Sequence, residues 1–124
     1  MASIQIIPTF VDVRYPSLIH SGALSIQTGS YPLLSYTVPG AKVLHLSSIH
    51  VSGDAEATFT LSINGTSALK IKNSVTERSK EVLFGAGWIK VEALDIVLIE
   101  VELDEVTGDF VDVFASIFGF EETL

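Results

Sequence analysis

Residues 94–103 read LDIVLIEVEL, residues 104–109 read DEVTGD, and residues 110–120 read FVDVFASIFGF. Two apolar runs, rich in β-branched and aromatic residues, thus flank a short acidic loop containing Gly108, which is the pattern of a large β-hairpin. A strand that borders solvent carries one polar face, and much of these two runs lacks one. We therefore predict that this hairpin lies centrally in the fold and also meets a partner subunit.

The faces of the second run can be assigned because successive residues of a strand point to opposite sides. Its phenylalanines share one face, and the smaller apolar residues at 111, 113, 115 and 117 share the other. We predict that the phenylalanine face contacts other copies of the chain. The predicted oligomer interface consists of Phe110, Phe114, Phe118, Phe120 and Leu98.

The composition favours a single soluble domain, residues 1–124, that forms an oligomer. Hydrophobic residues make up 48% of the chain and the mean hydropathy is +0.47, whereas charged residues make up only 18%, below the usual value of about 25%. An oligomer interface or a membrane would explain this apolar excess. No run of ~18 uninterrupted apolar residues is present, so we expect no membrane partner.

Charge is distributed unevenly along the chain, whose net charge is −8. Residues 1–91 hold all seven basic residues and five acidic ones, whereas residues 92–124 hold ten acidic residues and no basic one. Phosphate binding needs clustered lysine or arginine, so we expect no nucleic-acid partner. The acidic excess is interpreted as a source of solubility, with docking onto a basic surface as the alternative.

The compartment follows from the absence of cysteine and of a secretion signal. The chain has no cysteine, which excludes disulfides and thiolate metal sites. Its first residues, MASIQIIP, lack the basic segment and apolar core of a signal peptide. We expect a protein that is made in a reducing cytoplasm and is either used there or carried out of it as part of a particle.

Turn signals every 6 to 12 residues, without a capped amphipathic helix, predict an all-β chain of nine or ten short strands. We expect an antiparallel β-sandwich of jelly-roll type. Ser21 and Gly22 are interpreted as a turn that leaves His20 in a loop. The predicted strands are 3–7 and 9–14, which count as one strand interrupted by Pro8, then 23–28, 33–38, 41–51, 57–63, 66–72, 81–84, 88–91 and the two strands of the hairpin.

Two local predictions concern which side chains share a face. In strand 41–51, strict alternation places His45 and His50 on opposite faces, so they could not bind one metal ion. In the next hairpin, an Asn64–Gly65 loop of two residues would place Phe59 opposite Lys70. A three-residue loop, or an equivalent bulge, places Phe59 opposite Ile71 instead, and the hydrophobic pattern favours this second register.

Candidate sites for chemistry are few. The acidic loop residues Asp104, Glu105 and Asp109, together with Glu102, could bind calcium through oxygen atoms, but the spacing of a known calcium loop is missing and we favour a solvated tip. Motifs for phosphate binding, serine hydrolysis and zinc proteolysis are absent from the sequence. We therefore predict no catalytic residue, no cofactor and no enzyme activity.

Aromatic residues offer one possible ligand site. Trp88 follows three small residues, 85–87, which leave room for a sugar ring, and Tyr31 and Tyr36 could extend such a platform together with Tyr15. A single tryptophan in a sandwich usually belongs to the core, and we favour that interpretation. The alternative is a glycan-binding or receptor-binding site at Trp88, Tyr31 and Tyr36.

The last third of the chain resembles a known structural pattern. The segments WIKV at 88–91, DIVLIEV at 95–101 and FASIFGF at 114–120 look like the end of the tumour-necrosis-factor and complement-globular-head jelly rolls. In those families a long strand precedes a final aromatic strand, and three subunits pack through that region. The resemblance implies a homotrimer.

In overall character the chain is also similar to small jelly-roll virion proteins of tailed bacteriophages, such as head-decoration proteins and tail or fibre modules. The resemblance implies a structural protein that attaches to the capsid or tail. The predicted function is therefore a non-enzymatic, oligomeric protein of a phage particle, with a carbohydrate- or receptor-binding module as the alternative.

Overall fold

The computed structural model describes residues 16–85, 88–104 and 108–124. The predicted strand segments 3–7 and 9–14 lie outside these ranges. The strands of the described residues are β1 (Ser17–Ile26), β2 (Ser30–Thr37), β3 (Lys42–Gly53), β4 (Ala57–Ile63), β5 (Thr66–Lys72), β6 (Ser79–Leu83), β7 (Ile89–Val91), β8 (Ile96–Leu103) and β9 (Val111–Thr123).

The strands form two antiparallel sheets. The first sheet has the order β1-β9-β3-β6, and β7 also pairs with β3. The second sheet has the order β2-β8-β4-β5. Buried apolar side chains from both sheets form one cluster, and burial of such apolar area is the main force that holds two sheets together. The fold is therefore an all-β sandwich, as the sequence predicted.

The predicted hairpin of residues 94–120 is wrong, although both of its strands exist. Strand β8 pairs with β2 and β4 in the second sheet, whereas β9 pairs with β1 and β3 in the first. The acidic segment between them therefore passes from one sheet to the other. The predicted central position is confirmed, because each strand has a neighbour on both sides.

Strand β9 has the two faces that the sequence predicted. Its odd-numbered apolar residues are at most 7% exposed and belong to the core, whereas its phenylalanines lie on the outer side of the sheet. The core residues of β9 are Val111, Val113, Ala115 and Ile117. Residues on the outer side of β9 therefore do not need to fit into the core.

Strand β3 contains a bulge that the sequence analysis missed. The pairing with β9 shifts between Leu46 and Ser48, so Ser47 is the extra residue and its hydroxyl donates a hydrogen bond of 3.0 Å to the carbonyl of Phe118. An extra residue reverses the alternation beyond it. His45 and His50 therefore both pair with outward residues of β9, and their predicted placement on opposite faces is wrong.

The β4–β5 hairpin keeps its hydrophobic register through a bulge. Asn64 and Gly65 form a two-residue turn with positive φ angles of 52° and 86°, the conformation that such hairpins favour. The pairing then shifts between Leu61 and Ser62, so that Phe59 lies opposite Ile71. The predicted register is confirmed through the equivalent bulge, whereas the loop itself has two residues and not three.

The turn expected at Ser21–Gly22 does not form, because both residues and His20 lie within β1. Gly22 has a different role: a Cβ atom there would overlap the backbone carbonyl of Leu33 in β2. Glycine inside a strand often marks such a close approach between backbones. The residue therefore lets two strands of different sheets come together.

Asn73, which directly follows β5, is buried at 4% exposure. Its Oδ1 accepts a hydrogen bond of 2.7 Å from the Ala57 amide. Its Nδ2 lies 3.1–3.3 Å from the carbonyl oxygens of Gly53, Ala55 and Arg78. One side chain thus satisfies backbone groups that have no partner in a strand ladder.

We predict that Asn73→Ala lowers the free energy of unfolding by about 2–4 kcal/mol, because several buried backbone groups lose their partner. Chemical denaturation followed by circular dichroism measures this change. The exposed β5 substitution Ser67→Ala is the control and should change stability by less than ~0.5 kcal/mol. Equal stability of the two variants would contradict the role assigned to Asn73.

Candidate functional site

The outer faces of the two sheets differ in chemistry. On the second sheet, the outward positions of the central strand β4 and its neighbours are mainly threonine, serine, lysine and glutamate. These residues are Thr58, Thr60, Ser62, Lys70, Lys72, Glu100 and Glu102. On the first sheet, the central strand β9 instead presents phenylalanines to the outside. We call this surface the aromatic face.

The aromatic face extends across several strands. Leu18 of β1 lies opposite Phe118, which lies opposite Ser48 of β3, and Ser48 lies opposite Leu83 of β6. Leu18 is 55% exposed, Leu83 is 72% exposed and Phe114 is 46% exposed. Large exposed apolar side chains that adjoin in this way mark interaction surfaces.

One end of the aromatic face holds a cluster of three rings. His45 stacks on Phe120 with ring centroids 4.6 Å apart, and the edge of Trp88 meets Phe120 at 4.7 Å. Offset-stacked and edge-to-face arrangements are the favourable geometries for such rings. Trp88 is half-buried and lies outside the core, so the preferred interpretation of Trp88 as a core residue is wrong.

Carboxylates hold this end of β9 in place. The Oε1 atom of Glu122 lies 2.9 Å from Nε2 of His45 on the outer side. On the other side, the Tyr36 hydroxyl donates a hydrogen bond of 2.5 Å to Oε2 of Glu121. Burial, and then the adjacent carboxylate, raise the pKa of Tyr36 to about 12. Tyr36 is therefore a neutral hydrogen-bond donor at physiological pH.

The structure does not place the residues of the predicted sugar-binding platform next to one another. Tyr31 and Tyr36 lie on β2 and pack against the core, and the Tyr31 hydroxyl donates to the carbonyl of Thr28 at 2.7 Å. Trp88 lies on the aromatic face of the other sheet. Tyr15 is outside the described residues. A ligand-binding role of Trp88, Tyr31 and Tyr36 stays a prediction.

The predicted oligomer interface is also divided by the fold. Phe114, Phe118 and Phe120 share the aromatic face. Phe110 precedes β9 and is 67% exposed. Leu98 pairs with Ser62 on the outer side of the second sheet, so it cannot belong to the same patch. A single contact surface therefore cannot include Leu98 together with the phenylalanines of β9, and the role of all five residues in assembly stays a prediction.

The acidic segment lies beside polar and basic partners. The Asp104 carboxylate accepts a hydrogen bond of 2.7 Å from the Thr58 hydroxyl and lies 3.4 Å from the Lys72 ammonium. Glu105 falls outside the described residues, and Asp109 and Glu102 are exposed. Within the described ranges, no group of three or more potential metal ligands is present. Calcium binding there stays untested.

The sequence analysis missed three members of the aromatic face: Leu18, Leu83 and His45. Leu18 and Leu83 lie far from β9 in the sequence, and only strand order places them in the same row as Phe118. His45 reaches Phe120 through the same cross-strand pairing. The signal in the sequence was the row of phenylalanines on the outer side of β9. Such a row indicates that the strands beside β9 also carry apolar side chains on that side.

In the described part of the chain, no helix has the length and apolar character needed to cross a membrane.

No protein-family model matches the chain, and no curated protein matches it. Among solved structures, it is similar to a chain of the acidic stable capsid structure of Helicobacter pylori bacteriophage KHP30. That alignment has a TM-score of 0.48 and 9% identity, and it covers 89% of this chain and 100% of the other. This is a weak structural resemblance, and it assigns neither a family nor a role.

Proposed function

We propose that this chain is a non-enzymatic structural protein of a phage particle, that it forms a homo-oligomer, and that it attaches to a capsid or tail surface. The observation that carries the proposal is the aromatic face. Its phenylalanines occupy the middle of a sheet, where a protein that works alone would place polar residues, as the second sheet does. A contact within an assembly would cover these phenylalanines.

The strand order supports a jelly-roll topology for this protein. Strands β6 and β7 both pair with β3, at Ser48–Ser52 and Leu44–Leu46, so they act as two parts of one interrupted strand. The described part of the chain then has eight strands, four in each sheet, and consecutive strands from β1 to β4 alternate between the sheets. This is the arrangement expected of the double Greek key that many viral capsid domains use.

The energetics favour contact through the aromatic face. Burial of one exposed phenylalanine or leucine side chain contributes about 1.5–3 kcal/mol. Leu18, Leu83 and Phe114 are such exposed side chains. The half-buried Phe118 lies in the row of Leu18 and Leu83, and a polar row with Ser21, Ser116 and His50 separates it from Phe114. The acidic residues Asp112 and Glu122 lie at its ends rather than between the rings. An apolar centre with a charged rim is the usual anatomy of a protein interface.

We predict that Phe118→Asp dissociates the oligomer, because it places a charge at the centre of the aromatic face. Light scattering coupled to size-exclusion chromatography measures the mass. The matched control is Thr60→Asp, a half-buried outward position on a central strand of the second sheet, which should leave the mass unchanged. A wild-type monomer at micromolar concentration, or an unchanged mass for Phe118→Asp, would contradict the proposal.

The phage role makes a separate prediction about where the protein is found. The genes beside its own should encode capsid or tail proteins, and mass spectrometry of purified particles from that phage should detect the chain. Washing the particles at high salt should not remove it if the apolar face makes the contact, because salt screens charges and does not weaken apolar burial. Its absence from purified particles would contradict a structural role in the virion.

A further inference from the structure

Among the described residues, the two sheets have four edges, and these edges are protected to different degrees. An exposed edge strand can pair with another chain, and proteins usually prevent this with charged residues, proline or bulges. Strand β5 carries Lys70 and Lys72, and strand β2 carries Pro32 next to a bulge. The β6–β7 edge carries Lys80, Glu81 and Lys90 and is interrupted between its two parts.

Strand β1 differs from the other three edges. It spans ten residues, SLIHSGALSI, without lysine, arginine, aspartate, glutamate or proline. Its irregularity is confined to Leu18–His20, near its beginning. Among the described residues, β1 pairs with β9 along one side and with no strand along the other. Several small side chains, at 17, 21, 22, 23 and 25, leave its backbone accessible.

An open groove lies beside this edge. Its volume is about 280 Å³, and it is lined by Ala23, Leu24, Ser25, Asp112 and Phe114. Leu24 is 36% exposed and Phe114 is 46% exposed. An added strand would place its own side chains next to this groove, at the alternating positions that strand addition uses.

We propose that β1 pairs in antiparallel orientation with β1 of a second copy of this chain. Two identical strands satisfy each other's backbone groups when a two-fold axis relates them. The chain has a net charge of −8, so most contacts between copies bring like charges together. Strand β1 is an uncharged edge and avoids that repulsion. The first sheet then continues from one copy into the next.

This edge contact goes beyond the proposed function, because it uses the side of the first sheet rather than its aromatic face. Either contact can form without the other. Two serines that lie directly opposite each other in the sheet, Ser21 of β1 and Ser116 of β9, can distinguish the two contacts by their distances between copies. In edge pairing the two copies' β1 strands adjoin. Their Ser116 residues are then three strand spacings apart, about 14 Å, beyond the ~7 Å that a disulfide can span.

The test uses single cysteines, since the chain has none of its own. Ser21→Cys, Ala23→Cys and Ser25→Cys are oxidised separately and in pairwise mixtures, which covers the possible positions of the two-fold axis along β1. Ser116→Cys reports face contact, and Ser67→Cys, on the protected edge β5, reports random collision. Non-reducing electrophoresis measures the dimer yield, and circular dichroism shows that each variant is folded.

The expected result is rapid disulfide formation by at least one β1 variant or mixture, at a rate more than tenfold above that of Ser67→Cys. A β1 rate no higher than the Ser67→Cys rate would overturn the proposal. If Ser116→Cys crosslinks rapidly while every β1 variant stays at the Ser67→Cys rate, the result would assign contact to the aromatic face alone. A β1 disulfide in the Phe118→Asp background would show that the edge contact is independent of that face.

Discussion

Strand β9 is held between β1 and β3 in the centre of the first sheet, and the rest of the structure depends on that position. Neighbouring strands occupy both edges of a central strand, and its side chains alternate between the core and the outside of the sandwich. The odd-numbered residues of β9 meet the residues of the second sheet in one apolar core. The even-numbered residues therefore have to carry the aromatic face, and its neighbours follow from the strand order.

Glycine and serine make this position of β9 possible. A Cβ atom at Gly119 would overlap the carbonyl of His45, so the close approach of β9 to β3 requires a glycine there. Beside it, Ser47 takes the extra position of the bulge and bonds to the carbonyl of Phe118. The same bulge turns His50 to the outer side, where His45 already lies. Backbone packing between β3 and β9 thus determines which side chains lie on the aromatic face.

The sequence predicted those features that depend on local alternation. The core residues of β9 and the pairing of Phe59 with Ile71 both follow from period-two patterns of apolar residues. The sequence did not predict which strands pair, because an apolar run followed by an acidic loop fits a hairpin and a crossing between sheets equally well. It also misassigned Gly22, since the carbonyl of Leu33 that excludes a side chain there comes from a different sheet.

The aromatic face and the β1 edge adjoin at Leu18, Ala23 and Phe114, so the first sheet concentrates the surfaces proposed for assembly. The second sheet has the opposite character, with a polar outer side and lysines along its β5 edge. In the proposed assembly, such a division would give the molecule one side for contact and one side for solvent. It would also explain how a chain with 48% hydrophobic residues keeps a polar exterior.

The chain's one tryptophan, Trp88, lies against Phe120 on the aromatic face and reports directly whether that face is covered. Acrylamide quenching of its fluorescence should be measured as the protein is diluted from high to low concentration. If the aromatic face is an assembly contact, Trp88 is protected at high concentration, and its quenching rises several-fold, with a red shift of emission, as the oligomer dissociates. Equal quenching at every concentration, in a protein whose mass changes on dilution, would contradict the account.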